Sequence, residues 1–154
     1  MSNGMVNFKA EVISESMTLP LVRGAIESGE PGRADHIYVD LGQVSENRFS
    51  MVGEAASPVM FEIRFNDPDA QKVRITFNGI ASENINGVIA STNPSLGVQL
   101  RDDNGNIVPI NEPRDYPLYP GPNVIRFTSS LIATRTPVMP GPIGAIAVFT
   151  MAYV

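Results

Sequence analysis

Thirteen glycines and thirteen prolines punctuate this 154-residue chain at short, irregular intervals, and between them apolar and polar residues alternate. Proline breaks helix interiors and glycine supplies turn conformations, so such a chain folds as many short strands joined by turns. The alternation has the two-residue period of a half-buried strand, not the three-to-four spacing of a helix face. Residues 4–13 show it first, with Val6, Phe8, Ala10 and Val12 on one face and Asn7, Lys9 and Glu11 on the other. Residues 16–22 follow, limited by Pro20 to a sheet edge or a break, and residues 27–33 read as a loop.

Further strands are expected at 37–41, 59–65 and 73–77, with a turn at Asn66-Asp67-Pro68-Asp69 and a stop at Asn78-Gly79. Residues 96–100 and 107–110 flank Asp102-Asp103-Asn104-Gly105, a hairpin signal because Asn-Gly accepts positive φ. The proline-rich stretch 113–122 reads as a connection that cannot sit inside a sheet, and two long strands close the chain at 124–134 and 144–154. With no convincing helix and no internal repeat, the expected fold is an all-β sandwich.

Composition narrows the function. Apolar residues make up 43% and charged residues 18%, which is globular, and no apolar run reaches the roughly 18 residues of a membrane helix. Eleven basic against sixteen acidic residues leave a net charge of −5, a poor basis for binding nucleic acid or an anionic membrane. The absence of cysteine removes thiol catalysis, disulfides and thiolate metal sites, and a single histidine removes multi-histidine zinc sites. No cofactor, metal or enzymatic activity is expected; a structural or binding role is.

The smaller motifs agree. Asp102-x-Asn104-x-Asn106 imitates the start of a calcium loop but has Ile107 and Pro113 where glycine and glutamate belong, so it reads as a turn. Asp67 and Asp69 suit a turn better than acid–base chemistry, and His36 precedes a strand among loop residues with no second histidine, a surface or strand-edge position. Asn93-Pro94-Ser95 fails as a glycosylation acceptor because proline is central. Met1-Ser2-Asn3-Gly4 leads into alternation without the apolar core of a signal peptide, so the chain is either cytosolic or already processed.

The order of motifs resembles the chaperone–usher pilins of the type 1 fimbrial class. Gly4-Met5-Val6-Asn7-Phe8-Lys9-Ala10-Glu11-Val12-Ile13 is similar to their opening, Gly-x-Val-x-Phe-x-Gly-x-Val-Val. Val39-Asp40-Leu41-Gly42-Gln43-Val44 resembles their Val-x-Leu-Gly-x-Val strand, and the strands at 61–67 and 73–79 resemble the next two. Leu96-Gly97-Val98-Gln99-Leu100 with Asp103-Asn104-Gly105 follows their Val-Gly-Val-x-Ile/Leu-x-Asp-x-x-Gly. Residues 123–127, Ala133-Thr134, Pro140-Gly141, Ala145, Ala147, Phe149 and Tyr153 track their carboxyl-terminal signature. The likeness covers nearly the whole chain.

The resemblance implies an incomplete immunoglobulin-like β-sandwich lacking its last strand, completed by a donor strand from a neighbouring subunit. Residues 1–13 would be the N-terminal donor-strand extension, with Gly4, Val6, Phe8, Ala10 and Val12 entering the groove, and 14–154 the pilin domain. The groove side of the last strand would carry Ala145, Ala147, Phe149, Met151 and Tyr153. Its outer face, with Ile146 and Val148, would supply lateral contacts in a helical rod. Partners would be identical subunits in the filament, and a periplasmic chaperone and outer-membrane usher during assembly, with no nucleic acid and no cofactor. The product would be an adhesive fimbria on the extracellular surface.

The chain ends at the end of a strand, and an open edge beside a spare alternating strand favours β-strand addition. Burying the four inward side chains of that strand is worth on the order of 5–9 kcal/mol. Two departures stand out. The family's disulfide positions correspond to Met17 and Pro68, and such a bridge is typically worth about 2–5 kcal/mol. Ala10 stands where the opening has glycine, so the receiving pocket should be wider. The alternatives are a minor tip or adaptor subunit or, in another class, a soluble ligand- or carbohydrate-binding β-sandwich module.

Overall fold

The computed structural model describes residues 2–13, 26–27, 36–66 and 71–153. Ten strands are present: β1 (Ser2–Ile13), β2 (Ile26–Glu27), β3 (His36–Ser45), β4 (Ala55–Asn66), β5 (Lys72–Asn78), β6 (Val88–Ala90), β7 (Leu96–Arg101), β8 (Pro113–Pro117), β9 (Pro122–Ala133) and β10 (Gly141–Tyr153). A single 3-10 turn, Glu46–Arg48, is the one helical element among the described residues. The strands form a six-stranded sheet, β2-β3-β1-β10-β5-β8, and a four-stranded sheet, β4-β9-β7-β6. Neighbours are antiparallel except β1 and β3, which run parallel. The result is the β-sandwich that the punctuation predicts.

Alternation places the core. On β5, Val73, Ile75 and Phe77 point inward, and on β4 Phe61 and Ile63 do so from the facing sheet. Phe61 stacks on its cross-strand neighbour Phe127 at 5.5 Å within the four-stranded sheet, and Phe77 of the other sheet meets Phe127 edge-on at 5.1 Å, bridging the two. Such pairs add about 0.5–1.5 kcal/mol beyond their buried area. Tyr116 of β8 packs edge-on against Phe127, its hydroxyl has no hydrogen-bond partner among the described residues, and burial pushes its phenol up to about 12.

Several details depart from expectation. The proline-rich stretch is not wholly a connection: Pro113–Pro117 pairs with β5 as an edge strand, and Pro122 opens β9. An edge strand bonds on one side only, and its two prolines stand at its ends, so the missing N–H groups do not interrupt the ladder's middle. The hairpin after β7 is short. Arg101 bridges Ile107 and the Val108 N–H reaches the Leu100 carbonyl at 2.8 Å, but 107–110 does not continue as a strand. β6, with three residues, is too short to stand out by alternation.

Tyr153 was expected on the buried face of the last strand, but it is 45% exposed. Among the described residues the β1 ladder reaches Met151, and Tyr153 pairs with Val73 of β5. Glu27, expected to open the loop 27–33, instead ends β2, paired with Tyr38; the strand expected at 16–22, the rest of that loop, Met17, Pro68, Asp67 and Asp69 lie outside the described residues.

Candidate strand-acceptor slot

Residues 4–13 have no hairpin partner in the sequence, and neither of their partners is one. β1 lies between β10, from the other end of the chain, and β3, reached by a crossover. In the single chain, the strand filling the gap between β3 and β10 is therefore the chain's own. Its ladder with β10 runs unbroken from Ser2↔Met151 to Val12↔Gly141.

All four expected inward side chains are buried: Val6, Phe8, Ala10 and Val12 expose 0, 2, 8 and 2%. Phe8 reaches across the sandwich to meet Phe61 edge-on at 6.0 Å. The walls are Ile37, Val39, Leu41 and Val44 from β3, and Ala145, Ala147, Phe149 and Met151 from β10, all buried. In the single chain the inward face of 4–12 therefore lies against the expected face of the last strand, Tyr153 excepted.

The β10 wall is matched to β1 by size. Phe8 faces Ala145, Val6 faces Ala147, Gly4 faces Phe149 and Ala10 faces Ile143, so each pair sets a large residue against a small one. Directly opposed side chains on one face are close neighbours, so this complementarity fixes register as well as face. A slip of two residues keeps the face but sets Val6 against Phe149, or Phe8 against Ile143. Neither half of this pattern is visible until the two ends of the chain are aligned.

The β3 wall carries a feature that alternation does not reveal. Its register steps between Lys9↔Asp40 and Glu11↔Gln43, so Leu41 and Gly42 together oppose Ala10. Gly42 has φ 80°, and its N–H donates to Asp40 Oδ1 at 2.8 Å. The extra residue reverses the parity of β3, which is why Leu41 and Val44, three apart, both point inward. The smallest of the four inward side chains, Ala10, is the one that faces this bulge.

On the outer face of the same sheet Ile146 and Val148 are 52% and 39% exposed, as alternation requires. Asp102 Oδ1 accepts from the Asn104 and Asn106 N–H groups at 2.9 and 3.0 Å, so its carboxylate folds the turn. His36 is the first residue of β3. No group of three or more potential metal-ligating residues exists among the described residues. Asn93, dismissed as a glycan acceptor, holds a buried network that sequence gave no sign of: Oδ1 accepts from the Ser95 N–H and hydroxyl, and Nδ2 donates to the Met139 carbonyl.

Comparison with known proteins gives this architecture a context. A family profile described as fimbrial protein matches residues 25–154. The type-1 fimbrial protein C chain of Escherichia coli is 29% identical over 144 residues, covering 86% of this chain and 74% of that protein. Long polar fimbria protein A of Salmonella typhimurium is 28% identical over 125 residues, covering 75% and 70%. Among solved structures, the Burkholderia pseudomallei antigen and type I fimbria protein superposes with a TM-score of 0.74 at 24% identity, covering 99% of each chain. The P pilus rod subunit PapA superposes with a TM-score of 0.66 at 17% identity, covering 88% of this chain and all of that one.

Proposed function

The chain belongs to the fimbrial protein family, and from that premise we propose that it is a rod-forming pilus subunit that polymerises head to tail by donor-strand exchange. As a fimbrial subunit it works in a fibre on the cell surface. The observation that carries the finer reading is the slot itself: an apolar trench between β3 and β10 filled by a terminal strand whose inward residues match the β10 wall pair by pair. A strand from another copy would meet the same walls in the same register. Because the strand of one copy and the slot of the next are different surfaces, the contact is head to tail, and it yields a filament when its rotation does not close a ring.

The chain's own strand competes for that place. Thirteen peptide steps separate Ile13 from Ile26, a reach of at most about 43–47 Å, while the register of β2 on β3 requires only about 20 Å. Length therefore permits seating within one chain, at an effective concentration of about millimolar for a short tether. A dilute subunit left alone would fill its own slot. Assembly then calls for a partner that occupies the slot first, the role proposed here for a periplasmic chaperone, with an outer-membrane usher delivering subunits in order. Ile146 and Val148 face outward beside the seam, and we assign them lateral contacts between subunits of the wound rod.

The test uses an acceptor lacking residues 2–13, refolded with a peptide of residues 4–13 and then mixed with the intact chain. Exchange should give dimers by size-exclusion chromatography, and concentrated intact chain refolded from denaturant should give fibres in electron micrographs. An acceptor that folds as a stable monomer without any peptide, or that never takes a strand from another chain, overturns the reading.

A further inference from the structure

The two walls of the slot read a strand differently. Size matching along β10 fixes register there, but on the β3 side the inward pairs Val6↔Ile37, Phe8↔Val39 and Val12↔Val44 are large against large and carry no such mark. The mark on β3 is polar. Asp40 uses Oδ1 to close the bulge through the Gly42 N–H at 2.8 Å, and Oδ2 to face Lys9 Nζ at 3.8 Å. One carboxylate thus shapes the step opposite Ala10 and holds the residue just before it.

We infer that Asp40 is the register- and partner-selecting residue of the β3 wall, favouring a strand with a cation followed by a small side chain, as in a second copy of this chain. The inference rests on the slot being an acceptor for strands. Its logic is the charge order of β1. A slide of two residues one way brings Glu11 opposite Asp40, setting like charges together; a slide the other way brings Asn7 there and removes the attraction. Only the observed register pairs opposite charges. A donor with an acid at the place of Lys9 would be refused on the same ground.

The chain has no cysteine, so register can be trapped by disulfides on a clean background. Asn7→Cys with Ile146→Cys reports the observed register. Asn7→Cys with Val148→Cys reports the slide that brings Glu11 to Asp40, and Asn7→Cys with Gly144→Cys reports the opposite slide. A Cβ at Gly144 would have its nearest contact at 3.9 Å, so that trap is tolerated.

At low salt in the full chain, Asp40→Lys should raise the 148 trap relative to the 146 trap by about fivefold, and Lys9→Glu in the same chain should reverse the change. Asp40→Asn keeps the oxygen that closes the bulge and should shift the ratio by about twofold to threefold, which keeps the test informative if the lysine variant misfolds. Both shifts should shrink in high salt. Ratios unchanged by every Asp40 variant overturn the inference. Products linked only within single chains, with ratios that still follow Asp40, would instead overturn exchange between subunits and leave the role of Asp40 standing.

Discussion

The four-stranded sheet is tied together by contacts that depend on its own chain, whereas β1 is joined to the six-stranded sheet in a way that another molecule's strand could reproduce. In the first, the Ser129 hydroxyl of β9 donates to the Val59 carbonyl of β4 at 2.9 Å, where the β4 ladder steps past Pro58. β7 lies so close to β6 that a Cβ on Gly97 would collide with the Val88 side chain and stand 2.7 Å from the Ile89 carbonyl oxygen. The Asn93 network then binds the end of β9 to the segment leading into β10. β1, by contrast, meets its neighbours through two backbone ladders, matched side-chain sizes and one exposed ion pair. On the proposed function the first arrangement is a permanent scaffold and the second a replaceable part.

The sharpest way to break this contrast is to truncate one aromatic on each side. Phe8→Ala and Phe127→Ala each remove a buried ring, at a cost of about 3–5 kcal/mol measured by urea unfolding. An excess of peptide 4–13 should restore the stability of the first by replacing the damaged strand, and leave the second unchanged. Equal rescue of both, or of neither, would erase the distinction.

A second pair compares how tightly the backbones approach. Gly97→Ala should cost about 1–3 kcal/mol, because the methyl meets β6 backbone as well as a side chain. Gly144→Ala, with its nearest contact at 3.9 Å, should leave stability within about 0.5 kcal/mol. Thermal unfolding of the two variants under one buffer decides it.

The same contrast explains what could be read from the sequence. The fold class followed from alternation and punctuation, and β1 with its four inward residues followed from the pattern at 4–13, because period two belongs to one strand at a time. Relations between strands were another matter. The size matching of Phe8 with Ala145 and of Gly4 with Phe149 links residues at opposite ends of the chain. The bulge at Gly42 breaks the alternation on which strand reading depends, so the strand expected at 37–41 stopped short of Val44, which is core. β8 was hidden by its prolines, whose harm depends on whether the strand is an edge. Asn93 and Ser95 were read only as a failed glycan acceptor, because the Met139 backbone they bond lies more than forty positions away.

Outward residues of β10 give a smaller effect on the subunit and a larger one on the fibre. Ile146→Lys and Val148→Lys project into solvent in the single chain, so their unfolding free energy should stay within about 0.5 kcal/mol of the parent. Electron micrographs should nonetheless show unwound fibres or none, because the lateral contacts proposed for these residues would bury the new charges. Rods of unchanged form would separate the exchange slot from rod winding and assign the latter to another face.

The least effect is expected from acid, and its sign follows from two carboxylates outside the slot. Hydrogen bonds from the Arg74 guanidinium hold Asp115 below the usual carboxylate range, tying β8 to β5 at 2.7 Å. The Ser50 hydroxyl, then the Ser50 and Met51 N–H groups, lower Glu54 at the entrance to β4. A carboxyl depressed by folding contributes stability that is present above its unfolded value and lost as pH falls through its folded one, so both contributions begin to fall away near the usual carboxylate value of about 4 and are gone only below the lower folded values. Both groups are solvent-exposed, which keeps the loss small. Asp115→Asn with Glu54→Gln should therefore lower stability slightly at pH 7 and flatten its decline between about pH 5 and pH 2 in urea titrations. Because neither residue lies on β1, β3 or β10, the variant should exchange peptide 4–13 at the parent's rate at pH 7. A changed exchange rate would mean that the scaffold and the replaceable strand are coupled through the sheet edges, and the division between them would have to be redrawn.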